Sequence, residues 1–153
     1  VYPKHQEIKK VSFEFITLTP RRLFGYNDTW IDDYNKVICS NSEKTIIDCL
    51  YLPGYANGIS EIVKAIYAGR NKTDPGKMLT YLEKYGSIPV YKRLGFILMH
   101  LNLMPELVNS IRQHTGKSYT LLDPSLPNKG KYYPEWKIID NTGIESILNS
   151  LST

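Results

Sequence analysis

The stretch Val37-Ile38-Cys39-Ser40-Asn41-Ser42-Glu43-Lys44-Thr45-Ile46-Ile47-Asp48-Cys49-Leu50 decides the fold. Its first three residues form a short apolar run of strand type. Behind Ser40 the period changes, and Ile46, Ile47 and Leu50 fall on one helical face. Ser40 followed three residues later by Glu43 reads as a capping box, in which a hydroxyl and a carboxylate each take an orphan N–H at a helix start. Strands are therefore expected before this point and helices after it.

Upstream, Val11, Phe13 and Phe15 alternate with Ser12 and Glu14, the period of a half-buried strand. After Thr19-Pro20 come Arg21-Arg22-Leu23-Phe24-Gly25-Tyr26 and Trp30-Ile31, then the polar turn Asp32-Asp33-Tyr34-Asn35. A small antiparallel sheet is the natural product. Downstream, Pro53-Gly54 ends the first helix, and a second carries Ile59, Ile62, Val63 and Ile66. Asp74 caps a third with Pro75 at its first position, Gly86-Ser87-Ile88-Pro89 turns into a fourth, and a fifth starts at Pro105. Tyr119–Leu122 and Trp136–Ile139 then read as a C-terminal hairpin, and Ile144, Ile147, Leu148 and Leu151 as a last short helix. The expected class is α+β: N-terminal antiparallel strands, a central bundle of about five helices, a C-terminal β-hairpin and a short helix, all in one domain over 1–153.

The 153 residues are 42% hydrophobic and 22% charged, enough apolar material for a core without disulfides or metal. The N-terminal Val1-Tyr2-Pro3-Lys4-His5 has no apolar run of signal-peptide type, and no stretch reaches bilayer length, so a cytoplasmic chain with no membrane partner is expected. Cys39 and Cys49 match no zinc spacing and read as buried free thiols; no metal or cofactor is expected. The net charge is +4, but residues 62–93 alone hold seven basic and two acidic side chains. That block is either an anion-facing surface or a solvated lysine-rich helix face.

Three constellations could carry chemistry. Asp123 with Glu135 and Lys137 has the residue types of a metal-dependent nuclease, an acidic residue plus Glu-x-Lys on neighbouring strands. The third and fourth helices have helix-turn-helix proportions, with Tyr91, Lys92 and Arg93 opening the second of them. The loop Pro127-Asn128-Lys129-Gly130-Lys131-Tyr132-Tyr133 interleaves lysines with tyrosines, as single-strand and phosphate-binding segments do. Each has an ordinary counterpart: a charged rim, an αα-hairpin and a solvent-exposed loop.

Taken together, Val37–Leu50, the run Pro53-Gly54-Tyr55-Ala56-Asn57-Gly58-Ile59-Ser60-Glu61-Ile62-Val63-Lys64-Ala65-Ile66 continuing to Tyr91-Lys92-Arg93-Leu94-Gly95-Phe96-Ile97-Leu98, and Tyr119-Thr120-Leu121-Leu122-Asp123-Pro124 resemble the C-terminal domain of the AbiEi family. The chain departs from the family pattern at Asn41-Ser42 and Asn57-Gly58, where turn and cap chemistry is kept. The resemblance implies an antitoxin-type transcriptional regulator, not an enzyme, that counters a nucleotidyltransferase-like toxin without a tight complex. It also implies that DNA is bound mainly through a winged helix-turn-helix lying N-terminal to this domain and absent from this chain. On that reading Arg21, Arg22, Lys92, Arg93, Lys129 and Lys131 become a supplementary basic surface, adding phosphate contacts but no base readout.

Overall fold

Asn41, one residue past the expected Ser40, caps the first helix. In this computed structural model, which describes residues 4–151, its Oδ1 accepts from the Lys44 N–H at 3.1 Å and helix α1 runs over Ser42–Tyr51. The Val1-Tyr2-Pro3 start lies outside the described residues. Ser40 ends the preceding strand, its hydroxyl 2.7 Å from Thr45 Oγ1. Glu43 does not return to its own helix start, as a capping box requires. Its carboxylate is buried, accepts from the Asp74 N–H at 2.9 Å and pairs with Lys77 at 2.9 Å. The expected local cap is thus a tie between α1 and the N-terminus of α3 (Pro75–Tyr85), where Asp74 caps as expected by accepting from the Lys77 N–H.

The strands ahead of α1 do not form one sheet. β1 (His5–Ile8) pairs antiparallel with β2 (Val11–Glu14), and β3 (Tyr26–Trp30) with β4 (Lys36–Ser40), as two separate hairpins. Nor are they half-buried: every strand residue except Ser40 is exposed. Cys39 shares that exposure and Cys49 is partly covered, so the expected pair of buried thiols is corrected, though both are free. Cys39 stands opposite Asn27 on a hairpin face that nothing covers.

The core lies among the helices. α2 (Ile59–Gly69), α4 (Ile88–His100) and α5 (Pro105–Arg112) join α1 and α3, and Ile47, Leu50, Val63, Leu82, Leu94 and Ile97 are buried between them. Among the described residues, no helix is long and apolar enough to cross a membrane.

The C-terminal strands are β5 (Thr120–Leu121), β6 (Lys131–Tyr133) and β7 (Ile138–Asp140), in the order β5-β7-β6. β5 pairs with β7 in parallel and β6 with β7 antiparallel, so the expected hairpin between the first and last of these segments is corrected. The reversal of direction is supplied by Lys131–Tyr133, part of the expected Pro127–Tyr133 loop, which forms a strand. Trp136 is fully buried against α4, where Gly95 leaves room for the indole. Asp140 then accepts from the N–H groups of Thr142, Gly143 and Ile144 and opens α6 (Ile144–Leu151). Hairpins, helices, a small mixed sheet and a closing helix make an α+β fold.

Candidate functional site

The six candidate basic residues separate into two groups. The last turn of a helix leaves carbonyls without intrahelical donors and carries a partial negative charge. Arg21 donates to the Lys84 carbonyl at 2.8 Å and to that of Glu83 at 3.3 Å, and Arg22 donates to the Tyr85 carbonyl at 3.1 Å. Both therefore close the end of α3. Arg22 is also stacked over the rings of Tyr51 and Tyr85, 4.5 and 4.7 Å from their centroids.

Lys92 and Arg93 are not on a surface, and their placement there is corrected. Both are buried on α4. Lys92 Nζ donates to the Ser118 carbonyl and to Thr120 Oγ1. Arg93 donates to the Leu50 carbonyl at 2.8 Å and twice to the Leu121 carbonyl, at 3.1 and 3.2 Å. The two side chains thus fasten β5 and the end of α1 to α4. Burial, and then the positive charges of Arg93 and Lys137, lower the Lys92 pKa, while burial pushes Arg93 down to about 10. With Tyr91 buried as well, α4 offers no recognition face at its start, so the helix-turn-helix expectation is also corrected.

Much of the positive block over residues 62–93 is likewise spent internally. Lys77 is held by Glu43, Lys64 pairs with Glu61 at 2.7 Å, and Arg70 donates to the Tyr67 carbonyl at 2.6 Å. Lys129 and Lys131 remain on the surface. Lys131 reaches Glu145 at 3.5 Å and lies 5.0 Å from the Tyr133 ring centroid.

Asp123, Glu135 and Lys137 are not brought together. Because β5 and β7 run in parallel, Asp123, just past β5, lies beside Asn141, just past β7; its N–H donates to Asn141 Oδ1 at 3.0 Å. Glu135 and Lys137 stand at the opposite end of β7. Glu135 is exposed and pairs with Arg112 at 2.7 Å, and Lys137 lies 5.3 Å from the Tyr119 ring centroid. Asp123 is buried and accepts from the Ile59 N–H at 3.2 Å and the Ser125 hydroxyl at 2.5 Å, which makes it a cap for α2.

What sequence reading missed is the surface of the hairpins. In β1–β2 the cross-strand pairs place Gln6, Ile8, Val11 and Phe13 on one face, and His5, Glu7, Ser12 and Glu14 on the other. The polar face is internally paired, with His5 Nδ1 2.6 Å from Glu14. The apolar face is bare: Val11 is 55% exposed and Phe13 43%. In β3–β4, Tyr26, Trp30 and Ile38 share a face with Lys36, whose ammonium lies 4.4 Å from the Trp30 ring centroid. The alternation at Val11, Phe13 and Phe15 carries the signal, but the face it marks is exposed rather than half-buried.

No protein-family model matches the chain, and no curated protein or solved structure matches it either.

Proposed function

We propose that this chain is an antitoxin-type regulatory domain that acts through protein contacts rather than catalysis, in a transcriptional regulator whose DNA reading belongs to a winged helix-turn-helix. The observation that carries the contact role is the β1–β2 hairpin, an amphipathic pair of strands whose apolar face is exposed. A lone two-stranded hairpin is marginal in water. Ile8, Val11 and Phe13 stand 47, 55 and 43% exposed on that one face, the kind of bare apolar patch that marks an interaction site. The occupant we assign is the winged-helix domain of the same protein, whose placement the hairpins would fix. The sequence resemblance through Val37–Leu50, Pro53–Leu98 and Tyr119–Pro124 supports the antitoxin part of the reading.

The role of DNA is supported only at Lys129 and Lys131, which supply charge without a recognition element. A toxin of nucleotidyltransferase type is the functional partner, countered without a stable complex.

The test has two arms. Intact regulator is expected to rescue the growth of cells producing the nucleotidyltransferase-like toxin encoded beside it and to repress an operon reporter, and Ile8→Glu/Phe13→Glu to lose repression. Toxicity untouched by the intact protein overturns the antitoxin reading, and full repression by the double variant overturns the role of the hairpin. In the second arm the 153-residue chain is titrated with duplex DNA. Weak, sequence-blind binding that fades with salt and with Lys129→Ala/Lys131→Ala is expected; tight, sequence-selective binding would mean that the domain reads DNA itself.

A further inference from the structure

The outer face of the C-terminal sheet carries two exposed aromatic rings. In the order β5-β7-β6, Tyr132 stands opposite Ile139, which also pairs with Leu121, so these three share one face. Tyr133, Ile138 and Thr120 take the other face, where the Tyr133 ring centroid lies 4.9 Å from that of Phe96 on α4. Tyr119, two residues before Leu121, joins the first face: its ring meets that of Tyr132 edge to face, with centroids 5.1 Å apart. The contact steadies both rings, yet Tyr132 stays 58% exposed and Tyr119 39%.

The charge around these rings is positive. Lys137 Nζ lies 5.3 Å from the Tyr119 centroid. Lys117 precedes Tyr119 by two residues, Lys129 and Lys131 precede Tyr132 by three and one, and all three lysines are exposed. Among the described residues, Lys117, Lys129 and Lys137 pair with no carboxylate, and Lys131 meets Glu145 only at 3.5 Å. The other acids of the region are occupied: Asp123 caps α2, Asp140 caps α6, and Glu135 pairs with Arg112. Open rings among unpaired cations fit a polyanion that also offers flat apolar surfaces.

We propose that this face binds a single-stranded nucleic acid, with an unpaired base stacked on Tyr132 and the flanking phosphates drawn to Lys117, Lys129 and Lys137. Every base has a π-face, so such binding is blind to sequence. A duplex keeps its bases inside the helix and offers this surface phosphates alone, so the site goes beyond the charge contacts to duplex DNA proposed above. Stacking acts on the base and the lysines on the phosphate, and neither depends on the sugar. RNA and DNA strands therefore share the required chemistry.

The experiment is a fluorescence-anisotropy titration of the whole chain against labelled oligo(dT), oligo(U), an abasic strand of equal length and a GC-rich duplex. Both base-bearing strands are expected to bind at least about fivefold more tightly than the abasic strand, the lower end of what one base–aromatic stack contributes. They should also outbind the duplex, although charge alone favours the duplex with its denser phosphates. Tyr132→Ala should remove the advantage over the abasic strand, and Tyr132→Phe, which keeps the ring, should retain it. Equal affinity for abasic and base-bearing strands, a duplex bound more tightly than either, or an undiminished advantage in Tyr132→Ala overturns the proposal. A preference between oligo(dT) and oligo(U) supports it and identifies the kind of strand bound. The wild-type comparison of the ligands decides the matter even if a variant fails to fold, and none of these outcomes touches the antitoxin reading, which growth rescue decides.

Discussion

Replacing Gly95 by alanine in the middle of α4 sets a methyl carbon 2.1 Å from Trp136 Cζ3 and 2.2 Å from Cη2. Carbon atoms rest about 3.5–4.0 Å apart, so the indole must retreat by roughly 1.5 Å. It has little room to do so, being fully buried with Nε1 donating to Met99 Sδ at 3.2 Å. If the ring leaves its seat the loss approaches that of a buried tryptophan truncation, about 3–5 kcal/mol. The better helix propensity of alanine offsets about 1 kcal/mol, leaving a net loss of about 2–4 kcal/mol. Urea unfolding followed by fluorescence in a Trp30→Phe background reads Trp136 alone and gives the difference directly. Gly69→Ala is the internal control, because a methyl there meets nothing within 4 Å and should be neutral or slightly stabilising. A Gly95→Ala protein as stable as its parent would refute the seating of Trp136 on α4, and with it the account of how the C-terminal sheet docks.

Arg93→Ala strips donors from the Leu50 and Leu121 carbonyls and should cost about 2–4 kcal/mol in the same urea assay, whereas Lys129→Ala/Lys131→Ala should stay within about 0.5 kcal/mol. Similar losses for both would mean that Arg93 is not an internal brace. Burial alone would raise the Glu43 pKa, but the hydrogen bonds from Asp74 N–H and Lys77 outweigh it and hold the carboxyl below its ordinary 4.5. The unfolded chain therefore takes up this proton first as pH falls, so the stability due to Glu43 is full above 4.5 and is lost as pH drops through the lower, folded value. Wild type should outlast Glu43→Gln at neutral pH, and the gap should close in acid; a gap that is independent of pH would contradict the ionised tie.

Much of the architecture was legible because local signals dominate it. Asp74-Pro75 and Pro105 mark helix starts by backbone chemistry alone, and the three- and four-residue spacing from Ile46 to Leu50 admits only one period. The misreadings share one physical cause, which is that sequence gives residue types but not their long-range partners. Ser40 and Glu43 fit a capping box until Asp74, far along the chain, takes the carboxylate. Lys92 and Arg93 look like surface cations because burial of a charge is rare, and it is tolerated here only because the carbonyls of Leu50, Ser118 and Leu121 converge on them. A clue was present, since the two cations precede Leu94, Phe96, Ile97 and Leu98 in a helix with no polar face in that stretch. Lys44 and Asp48 carried a similar clue, one helical turn apart on the face that also bears Ile47 and Tyr51. The β5–β7 pairing was out of reach, because nothing in a two- or three-residue strand states whether its neighbour runs with it or against it.

The sheet order β5-β7-β6 also has a consequence for synthesis. A chain leaving the ribosome completes α1 to α5 before any of this sheet can form, since β5 and β6 bond to β7 and not to each other. Until Asp140 has emerged, both strands wait unpaired, and the groove over Gly95 waits for Trp136. The last quarter of the chain is therefore a latch: translation that stalls ahead of it leaves a helical body with an open apolar cleft, a form that quality control recognises and the finished protein never shows.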